Sequence, residues 1–198
     1  MASRSPKKLA ELRRVLDAAG VSGLRLLSLE DVAAFDEAPE TGATFEENAI
    51  AKARDAFHAT GLASVADDSG LSVDALNGMP GVLSARWSGV HGDDAGNTAL
   101  LLAQLRDVPA ERRGAAFVSA CALVSGPGAD QHTVVRGEWS GVIAEEPRGD
   151  GGFGYDPVFV PAEGDGRTFA ELTPAEKHAL SHRGRAFRAL AAELAKLH

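Results

Sequence analysis

A chain of 198 residues, 44% of them hydrophobic, is long enough to bury a core and short enough that one domain, residues 1–198, is the default expectation. Its net charge of -8 argues against sequence-independent binding to polymeric nucleic acid, which draws its affinity from many lysines and arginines on phosphates, so any nucleotide partner should be small. The lone Cys121 excludes an internal disulfide, no charged segment followed by an apolar run opens the chain, and no apolar stretch approaches membrane-spanning length; a soluble cytoplasmic protein is expected.

Ser5-Pro6 followed by Leu9, Leu12, Val15, Leu16 and Ala19, then Gly20, predicts an amphipathic helix with an N-cap, a proline in its first turn and a glycine stop. Leu24 to Leu27 reads as a strand. Thr44 to Thr60 reads as a helix with a capping box of Thr44 and Glu47, ended by Gly61. The apolar run Leu62 to Ala66 predicts a buried strand that stops at the turn-like Asp67-Asp68-Ser69-Gly70. A third helix follows over Asp93 to Leu105. Strands are expected at Ala115 to Val124 and Thr133 to Trp139, with Val142-Ile143 starting another. Gly149 to Gly154 forms a glycine-rich loop, and Val158 to Val160 is strand-like. Thr173-Pro174-Ala175-Glu176 repeats the capping signature before a helix carrying Lys177, and Ser181 can cap the last helix. Trp87-Ser88-Gly89-Val90 recurs as Trp139-Ser140-Gly141-Val142, too short a repeat to define an architecture. Helices and strands alternate in the first half and strands cluster in the second. That pattern predicts an α/β fold with a mixed sheet flanked by helices rather than a doubly wound parallel one.

Asp67 and Asp68 end an apolar strand, where open α/β folds place ligands, although Asp-Asp-Ser-Gly is also ordinary turn chemistry. Lys52 lies seven residues after Phe45, about 20° from it around an ideal helix, and so shares the apolar face. It either snorkels its ammonium to the surface or borders a cleft that holds an anion. Glu40, just before the same helix, is a metal ligand in that cleft or a solvated loop residue. Gly149-Asp150-Gly151-Gly152-Phe153-Gly154 matches G-x-G-x-x-G but lacks the flanking strand and helix that a dinucleotide site needs. It serves instead as a flexible backbone presenting Phe153 as a stacking face and Asp156 as an acceptor, or as a glycine loop with Phe153 packed into the core. The last helix puts Phe187, Leu190, Ala191, Leu194 and Leu197 on one stripe, with His182 and Arg183 in its first turn away from it. Free amides and the positive dipole end there suit a base carbonyl or phosphate, while a solvated His-Arg pair is the plainer reading. No phosphate loop, nucleophile elbow, H-E-x-x-H or cysteine pair is present. Carboxylates and scattered lysines remain, a set suited to magnesium-assisted attack of water on a phosphoanhydride.

Ser5-Pro6-Lys7-Lys8, Glu40-Thr41-Gly42 through Lys52, Ala66-Asp67-Asp68-Ser69-Gly70, Gly78-Met79-Pro80-Gly81, Gly152-Phe153-Gly154-Tyr155-Asp156-Pro157, Glu176-Lys177 and Ser181-His182-Arg183-Gly184 run in order along nearly the whole chain. Together they resemble the inosine/xanthosine triphosphate pyrophosphatase family. The resemblance implies a homodimer with an elongated mixed sheet and a nucleotide cleft between two lobes. It implies magnesium-dependent hydrolysis of ITP, XTP and their deoxy forms to the monophosphate and pyrophosphate, which cleanses the nucleotide pool. By similarity, Asp68 is the proton acceptor and a metal ligand, Glu40 a second ligand, and Lys8, Lys52 and Lys177 neutralise the triphosphate. Ser3, Ser5, Ser69, Gly154 and Tyr155 join the substrate contacts. Phe153 stacks on the base while Asp156, His182 and Arg183 read its edge, accepting a 6-keto purine and refusing a 6-amino one. Two alternatives stand beside this one: a nucleotide-binding protein of the same fold with impaired turnover, and a pyrophosphatase for pyrimidine or other modified nucleotides, which would keep the carboxylates but not need the Phe153 and His182-Arg183 base-reading set. The chain departs from the family pattern in having Ser5 where asparagine is usual and only Met1-Ala2 before Ser3. The family's first strand is therefore expected to be missing, with Ser3, Arg4 and Ser5 poorly anchored.

Overall fold

The computed structural model describes every residue except Arg4, Glu37, Ala38, Pro174, His178, Ala179, Leu180 and His198. Helix α1 (Pro6–Ala18) starts where Ser5 Oγ accepts from Lys8 N at 3.5 Å and Pro6 takes the position that needs no amide. It buries Leu12 and Leu16. Residues 24–28 are irregular rather than a strand. The carbonyls a ladder would use are taken elsewhere, Leu26 O by Arg13 Nη2 at 3.3 Å and Leu27 O by Met1 N at 2.7 Å. Ala2 N donates to Val65 O at 2.7 Å. Met1 and Ala2 thus tie the chain ahead of α1 between two segments, which corrects the loose anchoring expected there. Arg4 itself lies outside the described residues.

Helix α2 (Phe45–Thr60) is capped by Thr44 Oγ1, which accepts from Glu47 N at 3.1 Å. The Glu47 carboxylate reaches one residue further back than a capping box requires, to Ala43 N at 2.6 Å. Gly61 ends the helix in the left-handed region at φ 69°. Strand β1 (Ser64–Val73) does not stop at Asp67 but runs straight through Asp67-Asp68-Ser69-Gly70. The turn tendency of that tetrapeptide loses because both carboxylates are buried against cations and an amide, and Leu71 and Val73 beyond them are fully buried.

Helix α3 (Asp94–Gln104) is capped by Asp93, whose Oδ1 accepts from Gly96 N at 3.0 Å. Strand β2 (Gly114–Ser125) is followed by β3 (Gln131–Ile143), a single strand that absorbs both segments expected near Thr133 and Val142. Trp139 in β3 is 1% exposed, whereas Trp87 ends a 3-10 turn, so the two Trp-Ser-Gly-Val segments share no structure. Strand β4 (Phe159–Pro161) pairs antiparallel with β3 through Gly141 with Pro161, Val142 with Val160 and Ile143 with Phe159. The sheet order is β1-β2-β3-β4. Helix α4 (His182–Leu194) buries Phe187, Leu190, Ala191 and Leu194. Leu197 leaves that stripe because the winding tightens to a 3-10 turn after Leu194, and it is 41% exposed. The chain is the expected α/β type with a sheet flanked by helices, and no described helix is long and apolar enough to cross a membrane.

The residues group into two compact units. The first comprises Met1–Ser69, Ser119–Gly137 and Arg183–His198, and the second Gly70–Val118 and Glu138–His182. The core of the first is built from Leu12, Leu16, Val65, Cys121, Leu123, Phe187, Leu190 and Leu194. The core of the second collects Leu71, Val73, Leu101, Leu105, Trp139, Ile143, Tyr155 and Val158 around Phe117, Phe159 and Phe169, whose rings meet at 4.7 to 5.5 Å between centroids.

Candidate active site

In the first unit, side chains alternate across β1, so the adjacent carboxylates of Asp67 and Asp68 serve different partners. Asp68 is 8% exposed. Its Oδ2 accepts from Asn48 Nδ2 at 3.0 Å and its Oδ1 from Lys52 Nζ at 3.3 Å. Lys52 and Asn48 both project from α2, one turn apart on one face. The Lys52 ammonium also pairs with Glu40 Oε1 and donates to Asp67 O at 3.4 Å. It therefore bridges two carboxylates, rather than snorkelling to the surface as a lone lysine would. Burial pushes the Asp68 carboxyl above its ordinary value, with Lys52 and Asn48 opposing. For Lys52, burial acts to lower the ammonium, but Asp68 and Glu40 together outweigh it and hold it above its usual range.

Asp67 is 3% exposed, and its Oδ2 pairs with Lys8 Nζ at 2.8 Å and lies 3.8 Å from Arg183 Nε. Arg183 Nη2 donates to Ser69 Oγ at 3.4 Å. The first unit thus brings together Lys8, Glu40, Lys52, Asp67, Asp68, Ser69 and Arg183. The two aspartates sit in mid-strand, not beyond a strand's carboxyl end. Ser3 and Ser5 line a cavity of about 420 Å³ with Leu9, Ser28, Glu30 and Phe35, and Ser5 N donates to Ser3 Oγ at 3.2 Å.

The second unit holds the remaining candidates. Phe153 is 69% exposed on the glycine loop, not packed into the core. Asp156 Oδ2 accepts from Phe153 N and from Lys177 Nζ, each at 3.1 Å, so one carboxylate shapes the loop and orients the lysine. Tyr155 is 4% exposed and its hydroxyl donates to Ser84 O at 2.9 Å, which anchors the loop from inside. Gly154 is held from two sides by α3, with its N–H donating to Asp94 Oδ2 at 2.8 Å and its carbonyl accepting from Thr98 Oγ1 at 3.3 Å. The expected capping box of Thr173 and Glu176 forms, with Thr173 N to Glu176 Oε2 at 2.7 Å, and residues 175–177 begin a helical turn carrying Lys177. His182, at the start of α4, stacks on Phe117 at 5.1 Å and 13°.

Sequence reasoning missed Asn48, Asp94 and Thr98. The first left a signal, an amide one helical turn before Lys52 on the same face. Asp94 and Thr98 left none that a helix surface would not also produce.

A family model described as the Ham1 family matches residues 1–193. The chain belongs to the Ham1 family. A dITP/XTP pyrophosphatase of Mycolicibacterium paratuberculosis is 77% identical over 197 residues, covering 100% of this chain and 95% of that protein. A dITP/XTP pyrophosphatase of Mycobacterium tuberculosis H37Rv is 75% identical with the same coverage. Among solved structures, a nucleoside-triphosphatase / dITP/XTP pyrophosphatase from Mycobacterium abscessus is 67% identical, covers 99% of this chain and 97% of its own, and superposes with a TM-score of 0.82. A HAM1 protein from Coxiella burnetii, 40% identical, covers 98% and 96% with a TM-score of 0.88. The two structures cover 98–99% of this chain, and the family model covers residues 1–193.

Among the described residues no three His, Cys, Asp or Glu side chains form a ready metal cage. The donor set nevertheless suits one hard dication. Mg²⁺ is commonly held by one or two carboxylates and completes its shell with water and phosphate oxygens, and an ammonium already bridges Glu40 and Asp68 where positive charge is favoured.

Proposed function

We propose that this Ham1-family protein hydrolyses non-standard purine nucleoside triphosphates, dITP or ITP and XTP or dXTP, to the monophosphate and pyrophosphate, removing them from the nucleotide pool. The observation that carries the reading is Asp68: buried, held above its ordinary value by that burial, and coupled through Lys52 to Glu40. A carboxylate held above its ordinary value is a better proton acceptor, and a site for polyphosphate needs cations beside it. The names of the similar pyrophosphatases support the same chemistry.

In this reading Glu40 and Asp68 would hold Mg²⁺. Bound there, the ion would neutralise phosphate oxygens and polarise the α-phosphate. Asp68 takes the proton of the water that attacks the α-phosphorus, and the α,β-anhydride bond breaks with its electron pair leaving on pyrophosphate. Lys8, Lys52 and Lys177 spread that charge, with Lys8 and Lys177 held in place by Asp67 and Asp156 until the triphosphate arrives. Ser3, Ser5 and Ser69 bind phosphate or sugar oxygens. The exposed Phe153 ring stacks on the purine, Gly154 and Tyr155 set the loop, and Asp156, His182 and Arg183 read the base edge. A site built to hydrogen-bond a 6-keto oxygen can reject the 6-amino analogue by about 10⁴. The homodimer implied by the resemblance belongs to the same proposal, as do the single-domain organisation and cytoplasmic setting expected from length and composition.

The test is to follow pyrophosphate and orthophosphate together from ITP and from ATP with Mg²⁺, in the parent and in Asp68→Asn. ITP should give IMP and pyrophosphate, and ATP should be a poor substrate. The folded Asp68→Asn protein should lose about 10² to 10⁴ in kcat. Orthophosphate as first product from ITP, or undiminished turnover by Asp68→Asn, overturns the reading.

A further inference from the structure

Asn48 is 1% exposed and uses both ends of its side-chain amide. Its Oδ1 accepts from Gly42 N at 2.8 Å and its Nδ2 donates to Asp68 Oδ2 at 3.0 Å. These partners fix the amide's orientation, because the flipped group would set oxygen against carboxylate and NH₂ against N–H. The neighbouring backbone is shaped around it: a Cβ on Gly42 would stand 2.6 Å from Asn48 Oδ1 and 2.8 Å from Glu47 Cβ, so the close approach requires glycine there.

The two hydrogen bonds lead to the two carboxylates of the site. Asp68 Oδ2 is occupied by Asn48, which fixes the plane of the carboxylate and leaves Oδ1 to Lys52. Gly42 lies two residues after Glu40, so pinning its N–H fixes the segment that brings Glu40 to the same ammonium. Asn48 itself is anchored in α2, four residues before Lys52. One side chain therefore ties the segment carrying Glu40 to Asp68.

We infer that Asn48 is a positioning residue that pre-arranges Glu40 and Asp68 for a divalent cation without touching the cation or the substrate. This rests on the proposed role of those carboxylates as metal ligands. Outer residues that orient ligating groups by hydrogen bonds contribute about 10- to 100-fold to metal affinity when measured by substitution.

The experiment uses the full chain without nucleotide and reads Mn²⁺ binding by the loss of the free-ion paramagnetic resonance signal, beside thermal unfolding. Asn48→Leu keeps the branching at Cγ but neither hydrogen bond, Asn48→Ala removes both with less bulk, and Asn48→Gln keeps an amide. Mn²⁺ affinity should fall about 10- to 100-fold in whichever of the Leu and Ala variants is folded, and Asn48→Gln should recover part of it. At saturating Mg²⁺ the same variants should retain the parent's KM for ITP. A merely structural role would lower the melting temperature and leave Mn²⁺ affinity unchanged, and a folded Leu or Ala variant with parental affinity overturns the inference. Parental Mn²⁺ binding that is indifferent to Asp68→Asn overturns instead the metal-ligand reading on which it rests.

Discussion

Cys121 sits fully buried in the core that also contains Leu12, Val65 and Phe187, and burial, reinforced by the negative charge of Asp67, pushes its thiol up to about 12. The ordinary value is 9.0, so between the two the unfolded chain releases this proton while the folded protein keeps it. The folded state then binds more protons, and stability falls as pH rises through that window, by up to about 1.4 kcal/mol per pH unit. Other alkaline groups titrate there too, but they cancel in a difference. Denaturation of the parent and of Cys121→Ala at several pH values above about 9 should show the parent losing stability more steeply. Parallel pH dependences would remove Cys121 as the source. Residues of this kind separate what the sequence discloses from what it hides. Lys52 stood out because a cation on an apolar helix face is anomalous, and Glu40 and Asp68 gained roles from the pattern they share with a family. Asn48 left only its place one turn before Lys52 on the same face, and its hydrogen bonds to Gly42 and Asp68 show what that place is for.

Local chemistry and tertiary context divide the elements in the same way. The ends of α1, α2 and α3 were legible because a cap or a left-handed glycine acts within a few residues. β1 was cut short because Asp-Asp-Ser-Gly favours a turn in isolation, and its continuation depends on Lys8, Asn48, Lys52 and Arg183 from elsewhere in the chain. The Leu24 to Leu27 run had strand-like residues, but its Leu26 and Leu27 carbonyls are taken by Arg13 and Met1. α3 shows an element with a task beyond its own stability. Asp94, at its first residue, and Thr98, one turn on, grip the two sides of Gly154 and so set the loop that presents Phe153. A hydrogen bond of this kind is worth about 1 kcal/mol, or about fivefold in an equilibrium constant. If Phe153 stacks on the purine, Asp94→Ala should raise KM for ITP about fivefold and change kcat by less than about twofold, since the loop contributes binding and not proton transfer. Steady-state kinetics at saturating Mg²⁺ decide the matter, and an unchanged KM would detach α3 from substrate binding.

Neither compact unit is a continuous stretch of chain. β1, β2 and β3 each contribute residues to both, and the chain changes unit at Ser69, Val118, Gly137 and His182. The first unit therefore closes its core only when the last helix is present, because Phe187, Leu190, Ala191 and Leu194 meet Leu12, Leu16, Val65 and Leu123 there. These residues of α4 are between 0% and 6% exposed. Truncating one large buried side chain costs about 2 to 5 kcal/mol, and a whole domain has only about 5 to 15 kcal/mol to lose. A chain ending at Ser181 should accordingly melt below the parent and lose amide hydrogen-exchange protection in α1 and α2. Leu197→Ala, which trims a side chain that is 41% exposed beyond the end of α4, should unfold within about 0.5 kcal/mol of the parent. The pair isolates burial from mere proximity to the C-terminus. A truncated chain that melts like the parent would mean that the contacts of α4 with α1, β1 and β2 do not hold the first unit together.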